Sequence, residues 1–239
     1  MGTTDALCKP GGPVARLLPG SGFRTGIKWT GPGHAAAITS HLLASGGGAV
    51  AAGVGDVVCS PHHRQEWARR AVANPHVLNV VCSLLGPRVA VAEPTLLLVK
   101  RPGRFAVPPH QDGLNGGWHL DPDRAVSVWF AVTDATPANG CVQVVPGSHR
   151  GGYRRHVRGA DEDGRGAPLT LADPPPDTAF QPVPLPAGHA VVMDVRLVHR
   201  SAPNTTRMAR VGLNVCYVAP GGVIVYHGQP PRLLPVRGA

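Results

Sequence analysis

The sequence predicts a mainly β domain, an antiparallel sandwich or barrel with helices flanking it. Three observations predict it. From residue 88 onward, short β-type runs recur between Gly, Pro and Asn turns. That half has no strand–helix alternation, which argues against a doubly wound parallel sheet. The 239 residues include 31 Gly and 26 Pro, too many breakers for a long helical bundle or coiled coil. A chain of this length fits one domain.

Residues 1–33 are rich in Gly and Pro and read as an irregular arm. A helix follows from His34 to Ser45, stopped by Gly46, Gly47 and Gly48. Those glycines lack the Lys-Ser/Thr of a phosphate loop and read as a helix cap. Residues 62–86 carry the strongest helical signal, with Val77, Val80, Val81, Leu84 and Leu85 on one face. Gly86 and Pro87 end that helix. The predicted strands are Val89–Ala92, Thr95–Lys100, Ala125–Thr133, Cys141–Val145, Ala190–Asp194 and Val211–Val218. Within 125–133, Val126, Val128, Phe130 and Val132 share one face, and Ser127, Trp129 and Ala131 share the other. The polar, Pro-rich stretch 149–188 reads as a mobile lid loop, and residues 221–239 as a C-terminal tail. The whole chain, 1–239, is therefore read as one domain, with arm and helices to 87 and a β core over 88–220.

The net charge is +9 and the pI about 10.1. Of 23 basic residues only Lys9, Lys28 and Lys100 are lysines. The arginines are scattered and aromatics make up 5%, so the charge reads as a solvated surface set by GC-rich coding, not a nucleic-acid interface. Of five cysteines none sits at C-x-x-C spacing, and Cys82, Cys141 and Cys216, in apolar runs, read as buried free thiols. No apolar run approaches 18 residues and the start resembles no signal peptide, so the expectation is a soluble, cytoplasmic protein without membrane contact.

Candidate chemistry begins at His110-Gln111-Asp112, after Pro108-Pro109. In an extended segment residues i and i+2 share a face, so His110 and Asp112 can hold one metal. His199, 87 residues beyond Asp112, is the candidate third ligand. Two His and one carboxylate on one face of an octahedral ion form the facial triad of non-haem Fe(II) oxygenases. Three protein ligands leave three positions, two for a chelating 2-oxo acid and one for dioxygen. Arg210 opens the strand that runs to Val218 and shares parity with Gly212, Asn214 and Cys216. Its planar fork suits a distal carboxylate, and Ser201 adds a hydroxyl.

Several segments, in order, resemble the phytanoyl-CoA dioxygenase (PhyH) family of Fe(II)/2-oxoglutarate-dependent oxygenases. They are Pro109-His110-Gln111-Asp112, Ser127 to Asp134, Asn139-Gly140-Cys141 and Pro146-Gly147-Ser148-His149. Further on come Pro186 to Asp194, and His199-Arg200-Ser201-Ala202-Pro203-Asn204 followed by Arg210. The likeness covers roughly residues 75–220. It implies a double-stranded β-helix (jelly-roll) core with Fe(II) on His110, Asp112 and His199. It also implies 2-oxoglutarate on Arg210 and Ser201, O2 as oxidant, and Trp129 and Lys100 lining the co-substrate pocket. The N-terminal region departs from the family pattern, so the namesake acyl-CoA substrate is not implied.

Asn115, Trp118, His119 and Arg196 are candidate substrate residues near the metal motif. His149 reads as a turn residue. Cys59 with His62 and His63 resembles a fragment of a zinc site that lacks a further ligand. Because Asp112 is present, halogenation is not expected. The expected activity is hydroxylation of a small molecule, such as a bacterial specialised metabolite of antibiotic biosynthesis, with release of succinate and CO2. Desaturation, oxidative cyclisation and epimerisation draw on the same oxidant and stay open, as does a jelly-roll protein that binds metal without turnover. The expected state is a monomer or homodimer.

Overall fold

The computed structural model of the chain describes residues 18, 20–44, 56–103, 105–158 and 169–238. The Gly46–Gly48 stop and the charged stretch 161–166 lie outside the described residues. In chain order the elements are β1 (Phe23–Lys28), α1 (Pro32–Ala44), β2 (Asp56–Cys59), α2 (Glu66–Val72) and α3 (Pro75–Leu85). The β region then runs β3 (Val89–Lys100), β4 (Val107–His110), β5 (Trp118–Leu120), β6 (Ala125–Ala131) and β7 (Val142–Val144). It continues with β8 (His156–Arg158), β9 (Leu169–Leu171), β10 (Gln181–Val183), β11 (His189–Asp194) and β12 (His199–Ser201). β13 (Arg210–Val218), β14 (Val223–Val225) and β15 (Leu233–Arg237) complete it.

Among the described residues, a major sheet runs β1-β11-β6-β13-β3-β15, with β2 also on β3, and a minor sheet runs β10-β7-β12-β4. All pairings in both are antiparallel. The alternation in β6 assigns its two faces to two cores. Val126, Val128 and Phe130 pack with Leu213, Val215 and Tyr217 of β13 and with Val77, Val81 and Leu84 of α3. Trp129 and Ala131 point the other way and meet Val142, Val144, Val183 and Met193 between the two sheets. The molecule is therefore layered as helices, major sheet, minor sheet. Burying one Val or Leu is worth about 1.5–3 kcal/mol, so an uncovered outer face of the major sheet would forfeit much of the stability.

Local sequence explains where the structure departs from expectation. The predicted helix over 62–86 is broken in two. Asn74 caps α3, its Oδ1 accepting from His76 N and Val77 N at 3.1 and 3.3 Å, and Pro75 occupies the first helical position. Residues Pro61–His63 form a separate 3-10 turn. The arm is not wholly irregular, since β1 adds an edge strand to β11. Its exposed Arg24, Thr25 and Gly26 hide the alternation that marks a strand. Val89–Ala92 and Thr95–Lys100 are one strand, β3, against which β15 and β2 pair in succession. The stretch 149–188 is not one loop: it holds the β8–β9 pair, a 3-10 turn at Asp177–Ala179, and β10. The tail carries β14, paired with β5, and β15.

Candidate active site

His110 ends β4 and His199 opens β12, and these two residues are direct cross-strand partners. Their ring centroids lie 4.1 Å apart. Asp112 follows in the turn after β4 and completes the cluster. His110 Nε2 lies 3.4 Å from Asp112 Oδ1, and His199 Nε2 lies 3.5 Å from Asp112 Oδ2. Each imidazole has its Nδ1 2.9 Å from the backbone carbonyl two residues earlier, Pro108 O for His110 and Leu197 O for His199. That contact makes Nδ1 a donor to the backbone and directs Nε2, the nitrogen a metal would take, at the carboxylate. The donor set suits a ferrous ion, and the three ligand atoms lie within 4.8 Å of one another.

Two residues missed from sequence hold the carboxylate. Ser127 Oγ lies 2.5 Å from Asp112 Oδ2 and 3.0 Å from Asn214 Oδ1, and Asn214 Nδ2 donates to Asp112 Oδ1 at 3.2 Å. The available signal was parity. Ser127 shares the Trp129 face of β6, and Asn214 shares the Arg210 face of β13. Gln111, between the two ligands, is buried and faces away from the metal cluster. It donates to Gly152 O and Arg196 O and accepts from Arg154 N, which ties the ligand turn to the segment after the Pro-Gly-Ser-His turn. Ser148 of that turn accepts from Val198 N at 2.9 Å, beside the second His ligand.

Burial alone would raise the pKa of Asp112. The charges of His199 and His110 and their hydrogen bonds outweigh burial and hold the carboxyl well below its usual range. Burial pulls His199 down, but the Asp112 charge and hydrogen bond leave it raised. Without metal the cluster is held as a carboxylate between imidazoles.

Arg210 is 1% exposed. One guanidinium nitrogen, Nη2, donates to Gly140 O at 2.7 Å, while Nε and Nη1 are buried without a partner. Each unsatisfied donor of this buried guanidinium can take an incoming carboxylate oxygen. Burial lowers this guanidinium to about 10. Trp129 packs beside it, its ring centroid 5.2 Å from Cζ. The close approach of that indole requires Gly212: a Cβ there would overlap Trp129 Cζ2. Ser201 lines the same cavity. Lys100 does not line it. Its Nζ donates to Ser201 O at 3.0 Å and Ala202 O at 2.5 Å, so it fastens the backbone behind Ser201.

The cavity measures about 510 Å³ and opens between the sheets. The metal cluster, Arg210, Asn214 and Cys216 line its polar part, and Leu96, Leu98, Phe105, Leu114 and Leu169 its apolar part. Asn115 and Trp118 line it as well. The other two substrate candidates are not brought there. His119 packs against Tyr153 and is hydrogen-bonded to Tyr226 OH. Arg196 is clamped on Asp194, with Nε–Oδ1 at 2.9 Å and Nη2–Oδ2 at 2.7 Å, a pairing that leaves its guanidinium unavailable to a ligand. His149 is buried, and its ring fills the space beside Gly22.

The family model described as phytanoyl-CoA dioxygenase (PhyH) matches residues 45–212. A rice (Oryza sativa subsp. japonica) protein named phytanoyl-CoA dioxygenase 1 is 32% identical over 145 residues, covering 59% of this chain and 48% of its own. A mouse (Mus musculus) phytanoyl-CoA dioxygenase domain-containing protein 1 is 29% identical over 181 residues, covering 72% and 61%. The chain thus spans about half to three fifths of the length of these curated relatives. Among solved structures, the apo form of ThoJ, described as a non-heme monooxygenase, superposes with a TM-score of 0.75 at 28% identity, over 95% of this chain and 84% of that one. ThoJ has also been solved as a nickel complex.

Proposed function

Because the chain belongs to the phytanoyl-CoA dioxygenase (PhyH) family, we propose that it is an Fe(II)/2-oxoglutarate-dependent oxygenase that hydroxylates a small molecule. One observation carries this reading. A His-Asp-His cluster and an arginine with two unpartnered buried donors face one cavity.

In this proposal His110, Asp112 and His199 hold the ferrous ion, and Arg210 with Ser201 takes the distal carboxylate of 2-oxoglutarate. When bound, iron, 2-oxoglutarate and O2 supply a two-electron oxidation in which one oxygen atom ends in succinate, the other is inserted into a substrate C–H bond, and CO2 is released. The chain's residues do the rest. Backbone carbonyls hold both imidazoles with Nε2 inward, and Ser127 and Asn214 orient the carboxylate. Arg210 sets the register of the co-substrate through a guanidinium that cannot swing, since Gly140 O holds its third nitrogen. Phe105, Leu114 and Leu169 add an apolar lining that suits a substrate with a hydrophobic body. Asn115 and Trp118 are the polar and aromatic groups placed to orient it. The description of ThoJ as a monooxygenase supports hydroxylation over ring closure or epimerisation.

The test needs no substrate. Metal-free protein given Fe(II) and 2-oxoglutarate without oxygen should develop a visible metal-to-ligand charge-transfer band. Asp112→Ala should abolish the band, and Arg210→Ala should weaken 2-oxoglutarate binding by about tenfold or more. A folded, iron-loaded protein that gives no band would overturn the proposal.

A further inference from the structure

The sequence groups Cys59, His62 and His63 but offers no ligand nearby to complete a metal site. The fold supplies one from β3. Glu93 Oε1 lies 2.6 Å from His62 Nε2 and 2.7 Å from His63 Nε2. The two rings are 4.3 Å apart and inclined by 43°. Cys59 is exposed and takes no part in the cluster. The 3-10 turn that carries both histidines is held against β3 by Ser60 N, which donates to Thr95 O at 2.7 Å. Behind it, His62 Nδ1 is 2.9 Å from Thr95 Oγ1, with both residues buried. The ring that packs into the protein is thus anchored through one nitrogen and presents the other to the carboxylate.

We propose that His62, His63 and Glu93 form a second divalent-metal site, distinct from the His110-Asp112-His199 cluster, that takes Zn(II). Two imidazoles and a carboxylate are a zinc donor set, and three protein ligands leave a position for water. The Thr95–His62 contact is the outer hydrogen bond that orients a ligating imidazole. Zinc bonds of about 2.0–2.2 Å at tetrahedral angles hold donor atoms about 3.3–3.6 Å apart, so the cluster must widen by roughly 0.6–0.9 Å. His63 has the freedom to do so, being 40% exposed, whereas His62 is 1% exposed and stays. Arg232 Nε stands 3.7 Å from Glu93 Oε2, on the oxygen that the histidines leave. Glu93 also lines the cavity of the candidate active site, so zinc here would neutralise a carboxylate in its wall.

The experiment is a zinc count on the full chain. An Asp112→Ala/His199→Ala background removes the first cluster, so the outcome does not depend on the oxygenase reading. That background should retain one equivalent of Zn(II) after equilibrium dialysis. Substituting Co(II) should give the visible band of a four-coordinate site. Adding His63→Ala should weaken zinc binding by about tenfold or more and remove the cobalt band. The exposed position of His63 lets this variant fold, as circular dichroism would check. Glu93→Gln provides a second removal of one ligand. No stoichiometric zinc in the background, or unchanged affinity in folded His63→Ala, would overturn the proposal.

Discussion

Asp112 shows how much of this site lies outside the metal ligands. Its two oxygens face two imidazoles, yet Ser127 and Asn214 decide where they point. A hydrogen bond to a charged group is worth about 1.5–3 kcal/mol, and loss of such an outer partner commonly costs 10- to 100-fold in metal affinity. Ser127→Ala should therefore weaken Fe(II) binding by about tenfold or more, measured by competition with a chelator, while the fold is kept. Lys100 gives a pH-dependent prediction. Burial, helped by the charge of Arg210, lowers its ammonium to about 7. In the unfolded chain lysine keeps its proton to about pH 10.4. Between these values the unfolded state binds the extra proton, so stability rises with pH from about 7 to 10 and gains nothing from this group below 7. The thiols of Cys141 and Cys216, both raised chiefly by desolvation, act in the opposite direction, so the comparison must be between variants. Lys100→Met should lose stability overall yet show a smaller Tm gain, or a larger Tm loss, than the parent between pH 7 and 9.5.

At the scale of elements, two strands carry most of the chemistry because each divides its faces cleanly. β13 sends Val211, Leu213, Val215 and Tyr217 to the helical side. It sends Arg210, Asn214 and Cys216 to the cavity. Gly212 lies on that second face, and its missing side chain is what lets Trp129 lie flat beside Arg210. Gly212→Ala would drive a methyl into the indole and should destabilise the protein by about 1–3 kcal/mol, read from denaturant midpoints. It should also raise the KM for 2-oxoglutarate, because Trp129 and Arg210 move together. The β4–β12 pair is the complementary device. Antiparallel partnership of His110 and His199 fixes the spacing of two ligands by backbone hydrogen bonds. Ser148 and Gln111 then pin each strand from outside.

At the scale of the molecule, the helices and the minor sheet give the major sheet two different neighbours. The helical side is packed solid, and the side between the sheets holds the cavity. No helix among the described residues is long and apolar enough to cross a membrane. Leu98 and Leu96 of the cavity lining are the cross-strand partners of Gly212 and Asn214, so apolar residues stand beside the co-substrate groups. Leu98→Trp, which fills the cavity beside Gly212 and Arg210, should weaken the anaerobic charge-transfer band and raise the KM for 2-oxoglutarate.

The sequence by itself determined the β class, the split faces of β6 and β13, and the three residues that meet at the metal cluster. The faces and the His110–Asp112 pair are written in period-2 alternation, which local physics converts directly into direction, whereas His199, 87 residues beyond Asp112, was indicated by the third ligand a facial triad requires. It did not determine β1, whose exposed residues carry no alternation, or the break at Asn74-Pro75, where a cap interrupts an otherwise continuous apolar period. Tertiary structure alone decided which distant groups would meet. Ser127 and Asn214 were polar residues in strands until β6 and β13 paired beside Asp112. Arg196 and His119 lay close to the ligands in sequence, yet Asp194 and Tyr226 hold them elsewhere. Glu93 reached His62 and His63 only because β3 runs past their turn. Apart from the local Arg196–Asp194 pair, such contacts join residues 15 to 107 positions apart. Their partners are fixed by strand order and register, which depend on how the whole apolar surface is buried and not on any local stretch of chain.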